Sequence, residues 1–209
     1  MQKKNQLKAQ PLTYNGRKEI VYWLTKSTAR ILLFPFFRLE INGRENLPKR
    51  GPFILLPKHQ RWEDVPLVGI TLPKNVYYVA KHELFSNNLT SWFFESIGAV
   101  PLNRQRPLES RPYLRALIEL IKKGERIVLF PEGTYYVNEM GPGNIGILRF
   151  ILSRFDVPFI PIGICYSKVG FRTDVCISIG NPLYGNSSES PETFLEKTMK
   201  EIAFLSELI

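Results

Sequence analysis

The sequence predicts an α/β domain: a single-domain mixed, largely parallel sheet flanked by helices, preceded by an N-terminal amphipathic helical segment. Two observations carry this. Short apolar runs bounded by Gly, Pro and Asn alternate with stretches whose apolar residues recur every three to four positions, the pattern of a sheet covered on both faces. The charge is also unevenly divided. Residues 1–50 hold 11 Lys/Arg against 3 Asp/Glu, whereas residues 51–209 hold 17 against 16, so the net charge of +9 belongs almost wholly to the first segment. With 209 residues, 44% hydrophobic and 22% charged, the chain suits one domain with a full core and excludes wholesale disorder.

The first nineteen residues are polar and lack the apolar core of a secretory signal. Ile20 to Phe37 is apolar but carries Lys26 and Arg30, so no charge-free run approaches the ~20 residues of a membrane span. It reads as a helix lying in a membrane interface, with Tyr22, Trp23, Ile31, Leu32, Leu33 and Phe34 dipping into lipid and the basic residues on its anionic surface. Residues 1–38 are therefore expected to form a membrane-associating segment and residues 39–209 the folded domain, peripheral to the cytoplasmic face of a membrane.

Beyond Pro35, Phe37 to Ile41 reads as a strand closed by a turn at Asn42-Gly43. Phe53 to Leu56 is a buried strand leading to His59, and Pro66 suits the first turn of a following helix. Val76 to Ala80 is a strand. Leu89, Trp92, Phe93 and Ile97 recur at helical spacing, with Gly98 as the stop, and Val100 to Leu102 is a brief strand. Ser110 and Pro112 open a helix striped by Leu114, Leu117, Ile118 and Ile121 and ended by Gly124. Arg126 to Phe130 is a buried strand delivering Glu132. Ile145 to Phe155 is a helix, Val157 to Tyr166 and Val175 to Ile179 are strands, and Ser190-Pro191 opens the last helix. Cys165 and Cys176 form no disulfide framework and read as small core residues of a reduced interior.

Function is concentrated where strands end, because ligands of open α/β sheets sit beyond the strands' carboxyl ends. His59 and Asp64 lie five positions apart, a spacing that diverges on a continuous helix, so the chain must turn between them for the side chains to meet. Imidazole suits taking a proton near neutral pH, and a carboxylate beside it fixes its tautomer and stabilises the imidazolium. Other chemistries lack their residues. There is no G-x-S-x-G and no G-K-[ST], and Gly141-Pro142-Gly143-Asn144-Ile145-Gly146 matches a dinucleotide fingerprint without the strand it requires. His59, Asp64, His82 and Glu83 have no recognised metal-ligand spacing, and no metal is expected.

His59-x4-Asp64, Gly98 to Arg104, Phe130-Pro131-Glu132-Gly133-Thr134 and Val157 to Ile162, in that order and spacing, resemble the four blocks of the glycerolipid acyltransferase family, whose best-known members are 1-acylglycerol-3-phosphate acyltransferases. The resemblance runs from about Phe37 to Pro182. It implies acyl transfer from an acyl-CoA or acyl-ACP thioester to a hydroxyl of a lysolipid, with no other cofactor. It implies His59 as general base, Asp64 as its orienter, and substrate contacts from Arg104, Glu132, Gly133 and Thr134. The sequence departs from the family at Lys58 and Arg61, where Asn and Ser are common, and at Tyr135-Tyr136, where Arg-Ser is common. Lys58 or Arg61 is then expected to supply the missing charge, and the acceptor implied is 1-acyl-sn-glycerol 3-phosphate, giving phosphatidate, with a lysophospholipid, a lyso-glycolipid, a lyso-aminolipid or glycerol 3-phosphate as alternatives. Lys81 and His82 read as a solvated surface pair that could also face the site, and Trp92, Phe93 and Phe94 as a core-packing helix stripe that could also line an acyl tunnel. The alternative of another class is a non-catalytic basic protein binding anionic lipid or nucleic acid. Nucleic acid is disfavoured by the neutral body and the lack of a nucleic-acid module.

Overall fold

The computed structural model describes residues 16–103, 110–186 and 188–209. Seven strands form one sheet: β1 (Phe37–Asn42), β2 (Phe53–Pro57), β3 (Tyr77–Lys81), β4 (Ala99–Leu102), β5 (Arg126–Val128), β6 (Phe159–Val169) and β7 (Arg172–Ile179). Their order is β1-β7-β6-β2-β5-β3-β4. The five strands from β6 to β4 run parallel, β7 returns antiparallel to β6, and β1 pairs parallel with β7. The expected mixed, largely parallel sheet is observed.

β2 is central and buried along its whole length, and alternation sorts its side chains between two cores. Phe53 and Leu55 pack with Leu67 and Val68 of α2 (Asp64–Thr71) on one face. Ile54 and Leu56 pack on the other with Leu117 of α4 (Arg111–Lys122), Leu148 of α5 (Ile145–Leu152) and Ile202 of α6 (Pro191–Leu205). A run apolar on both faces, rather than alternating, is what a strand covered by helices on each side requires. The first face is completed by α1 (Glu19–Leu33) and α3 (Asn88–Ser96), which contact each other, and α1 also packs on α2.

α1 differs from the expectation at two residues, because one of its faces is docked on the domain: the Tyr22 hydroxyl is buried and accepts from Val76 N at 3.3 Å, and Lys26 Nζ donates to Leu72 O at 2.9 Å. Tyr22 and Leu33 therefore face protein. Trp23, Ile31, Leu32 and Phe34, expected on lipid with them, are exposed, as are Ile20 and Leu24. Among the described residues no helix is long and apolar enough to cross a membrane. Burial at Tyr22, aided last by nearby Glu19, raises its phenol above the usual range, while burial lowers the Lys26 ammonium.

Two boundaries also differ. β5 ends at Val128, although Leu129 N still donates to Leu55 O at 2.9 Å, because the chain turns away at Pro131. β6 and β7 extend to Val169 and from Arg172, past the apolar runs that marked them, since hairpin pairing continues where side chains such as Ser167 and Lys168 are solvated. The cysteines are opposite one another in this hairpin and half-buried rather than deep in the core.

Candidate active site

Just past β2 the chain continues its ladder for one residue, Lys58 N donating to Ile162 O at 2.9 Å, and alternation then sends successive side chains to opposite sides. His59 turns toward α2. Its Nδ1 lies 3.1 Å from Asp64 Oδ2. The same oxygen accepts from the backbone amides of Gln60 (2.6 Å) and Arg61 (2.7 Å), and the Tyr166 hydroxyl donates to the other oxygen. The four-residue spacer thus has a physical cause. Asp64, first residue of α2 and fully buried, caps the amides of the turn that joins it to His59. With a carboxylate accepting at Nδ1, the imidazole's hydrogen resides there and Nε2 keeps its lone pair. The ring is gripped by Phe130, with centroids 4.1 Å apart, and edge-on by Tyr135 at 4.5 Å.

Lys58 goes the other way. Its ammonium donates to both Glu132 oxygens (2.8 and 2.9 Å) and to Tyr136 O (2.8 Å), with no exposed surface. Glu132 also accepts from the amides of His59 (2.9 Å) and Gly141 (2.7 Å). Lys58 and Glu132 were expected at the substrate. In the structure both side chains are buried, and they hold the loop after β5 against the loop after β2 from behind the histidine. Tyr136 N donates to His59 O and Asn138 N to the Gln60 side chain, which ties the same two loops again.

Gly133, Thr134 and His59 line one cavity of about 630 Å³. Gly133 has φ +68°, a left-handed conformation that glycine adopts without strain and that turns the loop toward the histidine. The cavity runs between α1, α2, α3 and the sheet; Ala29, Val65, Ile70, Phe93, Phe94 and Ile97 give its wall an apolar character. Lys26 and Lys81 also line it. Trp92 does not; it lies under Lys18, 5.0 Å from the ring. Arg61 is half-buried and stacks on Tyr166 at 4.4 Å, near the dyad but outside the cavity wall. Arg104 lies outside the described residues. His82 sits on a short 3-10 turn, away from the cavity wall. Among the described residues no three His, Cys, Asp or Glu side chains gather as a metal-ligand set.

Tyr166 is the site residue that sequence reading missed. Burial, and then the Asp64 charge, push its phenol far above the usual tyrosine range, so it is a permanent donor to Asp64. One signal pointed to it: Ile162, Ile164 and Tyr166 share the α2-facing side of β6 by the period of two.

Comparisons with known proteins give the family. The family described as Acyltransferase matches residues 38–165. The chain belongs to the acyltransferase family. It is 33% identical to the 1-acyl-sn-glycerol-3-phosphate acyltransferase of Streptococcus pneumoniae, over 82% of this chain and 68% of that one. It is 28% identical to the chloroplastic 1-acyl-sn-glycerol-3-phosphate acyltransferase BAT2 of Brassica napus, over 83% of this chain, and spans 53% of that protein's length. The crystal structure of the 1-acyl-sn-glycerophosphate acyltransferase PlsC from Thermotoga maritima superimposes with a TM-score of 0.69 at 25% identity, covering 90% of this chain and 78% of the other. As an acyltransferase fold, the sheet with its flanking helices places His59, Asp64 and the Glu132–Thr134 segment together at the carboxyl ends of β2 and β5.

Proposed function

We propose that the protein transfers a fatty acyl group from an acyl-CoA or acyl-ACP thioester to the free hydroxyl of 1-acyl-sn-glycerol 3-phosphate, giving phosphatidate, while bound peripherally to the cytoplasmic face of a membrane. The observation that carries this reading is the His59 ring, tied through Nδ1 to Asp64 and lining an apolar cavity of about 630 Å³. That volume lies within the ~300–1,000 Å³ of small-ligand sites, and its apolar wall suits a hydrocarbon chain. The named relatives support the acceptor, and the exposed apolar residues of α1 with the basic first fifty residues support the membrane.

The chemistry follows from the dyad. His59 Nε2 takes the proton of the acceptor hydroxyl as its oxygen attacks the thioester carbonyl carbon. The imidazolium is stabilised by the Asp64 carboxylate, which four donors hold in place. The tetrahedral adduct collapses with cleavage of the C–S bond, and the proton passes from the imidazolium to the departing sulfur. One ester forms, one thioester breaks, and no acyl-enzyme is required.

Full-length protein given a long-chain acyl-CoA and 1-acyl-sn-glycerol 3-phosphate should release free thiol in step with phosphatidate. Lyso-glycolipid, lyso-aminolipid and glycerol 3-phosphate acceptors supplied in parallel test the head group, and acyl-ACP tests the donor. Thiol release at equal rate without any acceptor would mean thioester hydrolysis, and the reading would be wrong.

A further inference from the structure

We propose that the tip of the β6–β7 hairpin is a second lipid-inserting element, clamped to the end of α1, which levels the active-site mouth against an anionic bilayer. The proposal rests on the membrane-bound acyltransferase reading above and adds a contact outside the N-terminal segment.

The tip has an unusual composition for its place. Hairpin turns favour Gly, Asn and Asp, whereas here Gly170 is followed by Phe171, which is 86% exposed, and preceded by exposed Val169. A phenylalanine this exposed in the turn of a strand pair contributes little to the fold. It is not isolated, however. Arg172 reaches from the tip to the turn after α1, its Nε donating to Pro35 O at 3.0 Å and its Nη2 to Phe34 O at 3.2 Å. Its guanidinium stands 5.5 Å from the Phe34 ring and 5.8 Å from the Phe171 ring. Thr173 N closes the junction by donating to Phe36 O at 2.8 Å. Phe34 is itself 72% exposed, and Phe36, Ile31 and Leu32 are exposed beside it in sequence.

Two chain segments far apart in sequence thus present one aromatic surface around a central arginine, with Lys168 exposed on the same hairpin. Aromatic rings with basic side chains that keep their charge near the head groups are the composition of a membrane-interface belt. The charge complements anionic lipid, and the surface is continuous with the exposed apolar stripe of α1.

The position also has a functional consequence. β6 outruns β2, since Pro57 pairs with Ile162 while Tyr166, four residues on, reaches Asp64. The tip lies three to five residues beyond Tyr166, on the order of 10–17 Å at about 3.3 Å per residue. An element of that length beside the dyad holds the histidine at a set height above the lipid, so that an acceptor hydroxyl near the head-group level reaches it with its acyl chain still in the membrane.

The test is co-sedimentation of the full-length protein with vesicles of phosphatidylcholine and phosphatidylglycerol. Phe171→Ala, and separately Val169→Ser with Phe171→Ser, should weaken partitioning about tenfold, the order expected from losing part of a buried aromatic's transfer free energy. Thermal midpoint and turnover on short-chain, water-soluble substrates should stay at wild-type values. Wild-type partitioning of both variants overturns the proposal, as does an altered oligomeric state of the lipid-free variants, which would make the tip a contact between copies. Ile31→Ser with Leu32→Ser tests the α1 reading separately: if it binds normally while the hairpin variants fail, α1 is not the anchor and the hairpin is. Should the wild type bind vesicles but release no thiol, the acyltransferase reading fails and the vesicle comparison still judges the hairpin.

Discussion

Two pairs of a basic residue and a carboxylate stand back to back at the end of β2, built from adjacent residues, and they are set up for opposite tasks. Lys58 and Glu132 are both without exposed side-chain surface, and the ammonium's donors end on two carboxylate oxygens and the carbonyls of Tyr136 and His59. His59 and Asp64 differ in one respect: the aspartate is equally buried, but the imidazole keeps 11% of its surface and has one nitrogen committed, with the other left to the cavity. Strand alternation alone puts one pair behind the backbone and the other in front of it. The comparison teaches that a charge pair becomes structure when its hydrogen-bonding capacity is filled, and becomes chemistry when one site is left for a substrate.

The sharpest way to break this contrast is to remove each partner. His59→Ala should cost on the order of 10³-fold in turnover, within the 10²–10⁴ range of general base catalysis, while the thermal midpoint stays near wild type. Lys58→Met should do the reverse. It leaves the Glu132 carboxylate buried without its counter-charge, and losing one partner of a buried pair costs about 3–5 kcal/mol, read from urea unfolding. Activity of whatever remains folded, measured well below the melting transition, should fall much less than in His59→Ala. If Lys58→Met abolished turnover without changing stability, Lys58 would belong to the reaction and the division between the two pairs would be wrong.

How much of this was legible beforehand follows from which forces are local. The strands β2 and β6, the helix α4 and the turn between His59 and Asp64 could be read from apolar period and from Pro66, because those signals act within a few residues. The Lys58–Glu132 pair could not, since nothing in a Lys beside a catalytic His says that the chain has already become a strand extension whose next face is closed. Tyr166 was hidden for a related reason. Its partner lies 102 positions away, and the residue marks the point where β6 leaves the core yet still runs beside the dyad. Tyr22 misled because helical spacing alone does not say which face of α1 meets protein; the hydroxyl's bond to Val76 decides it.

Tyr166 also gives the next measurement. Tyr166→Phe removes one of four donors to Asp64 and leaves the ring beneath Arg61. A hydrogen bond to a charged group is worth about 1.5–3 kcal/mol, but three donors remain, so about a tenfold fall in kcat is expected with KM nearly unchanged. A change in KM alone would assign Tyr166 to substrate binding and remove it from the dyad's support.

The smallest effect is expected at Cys165, and its smallness carries an argument. The residue is next to Tyr166, close enough in sequence to suggest a covalent acyl-cysteine. Alternation turns it to the other face, however, where its thiol lies 3.9 Å from Leu205 O under α6. Burial, with minor contributions from Glu207 and Cys176, pushes the thiol up to about 11. A raised thiol pKa means protonation persists through neutral pH, so roughly one molecule in 10⁴ holds the thiolate nucleophile at pH 7. Cys165→Ser should therefore leave turnover within about twofold of wild type, as substitutions outside the chemistry do. If it fell to the level of His59→Ala, the histidine would be deprotonating a thiol rather than an acceptor hydroxyl, and the cavity that His59 lines would need another purpose.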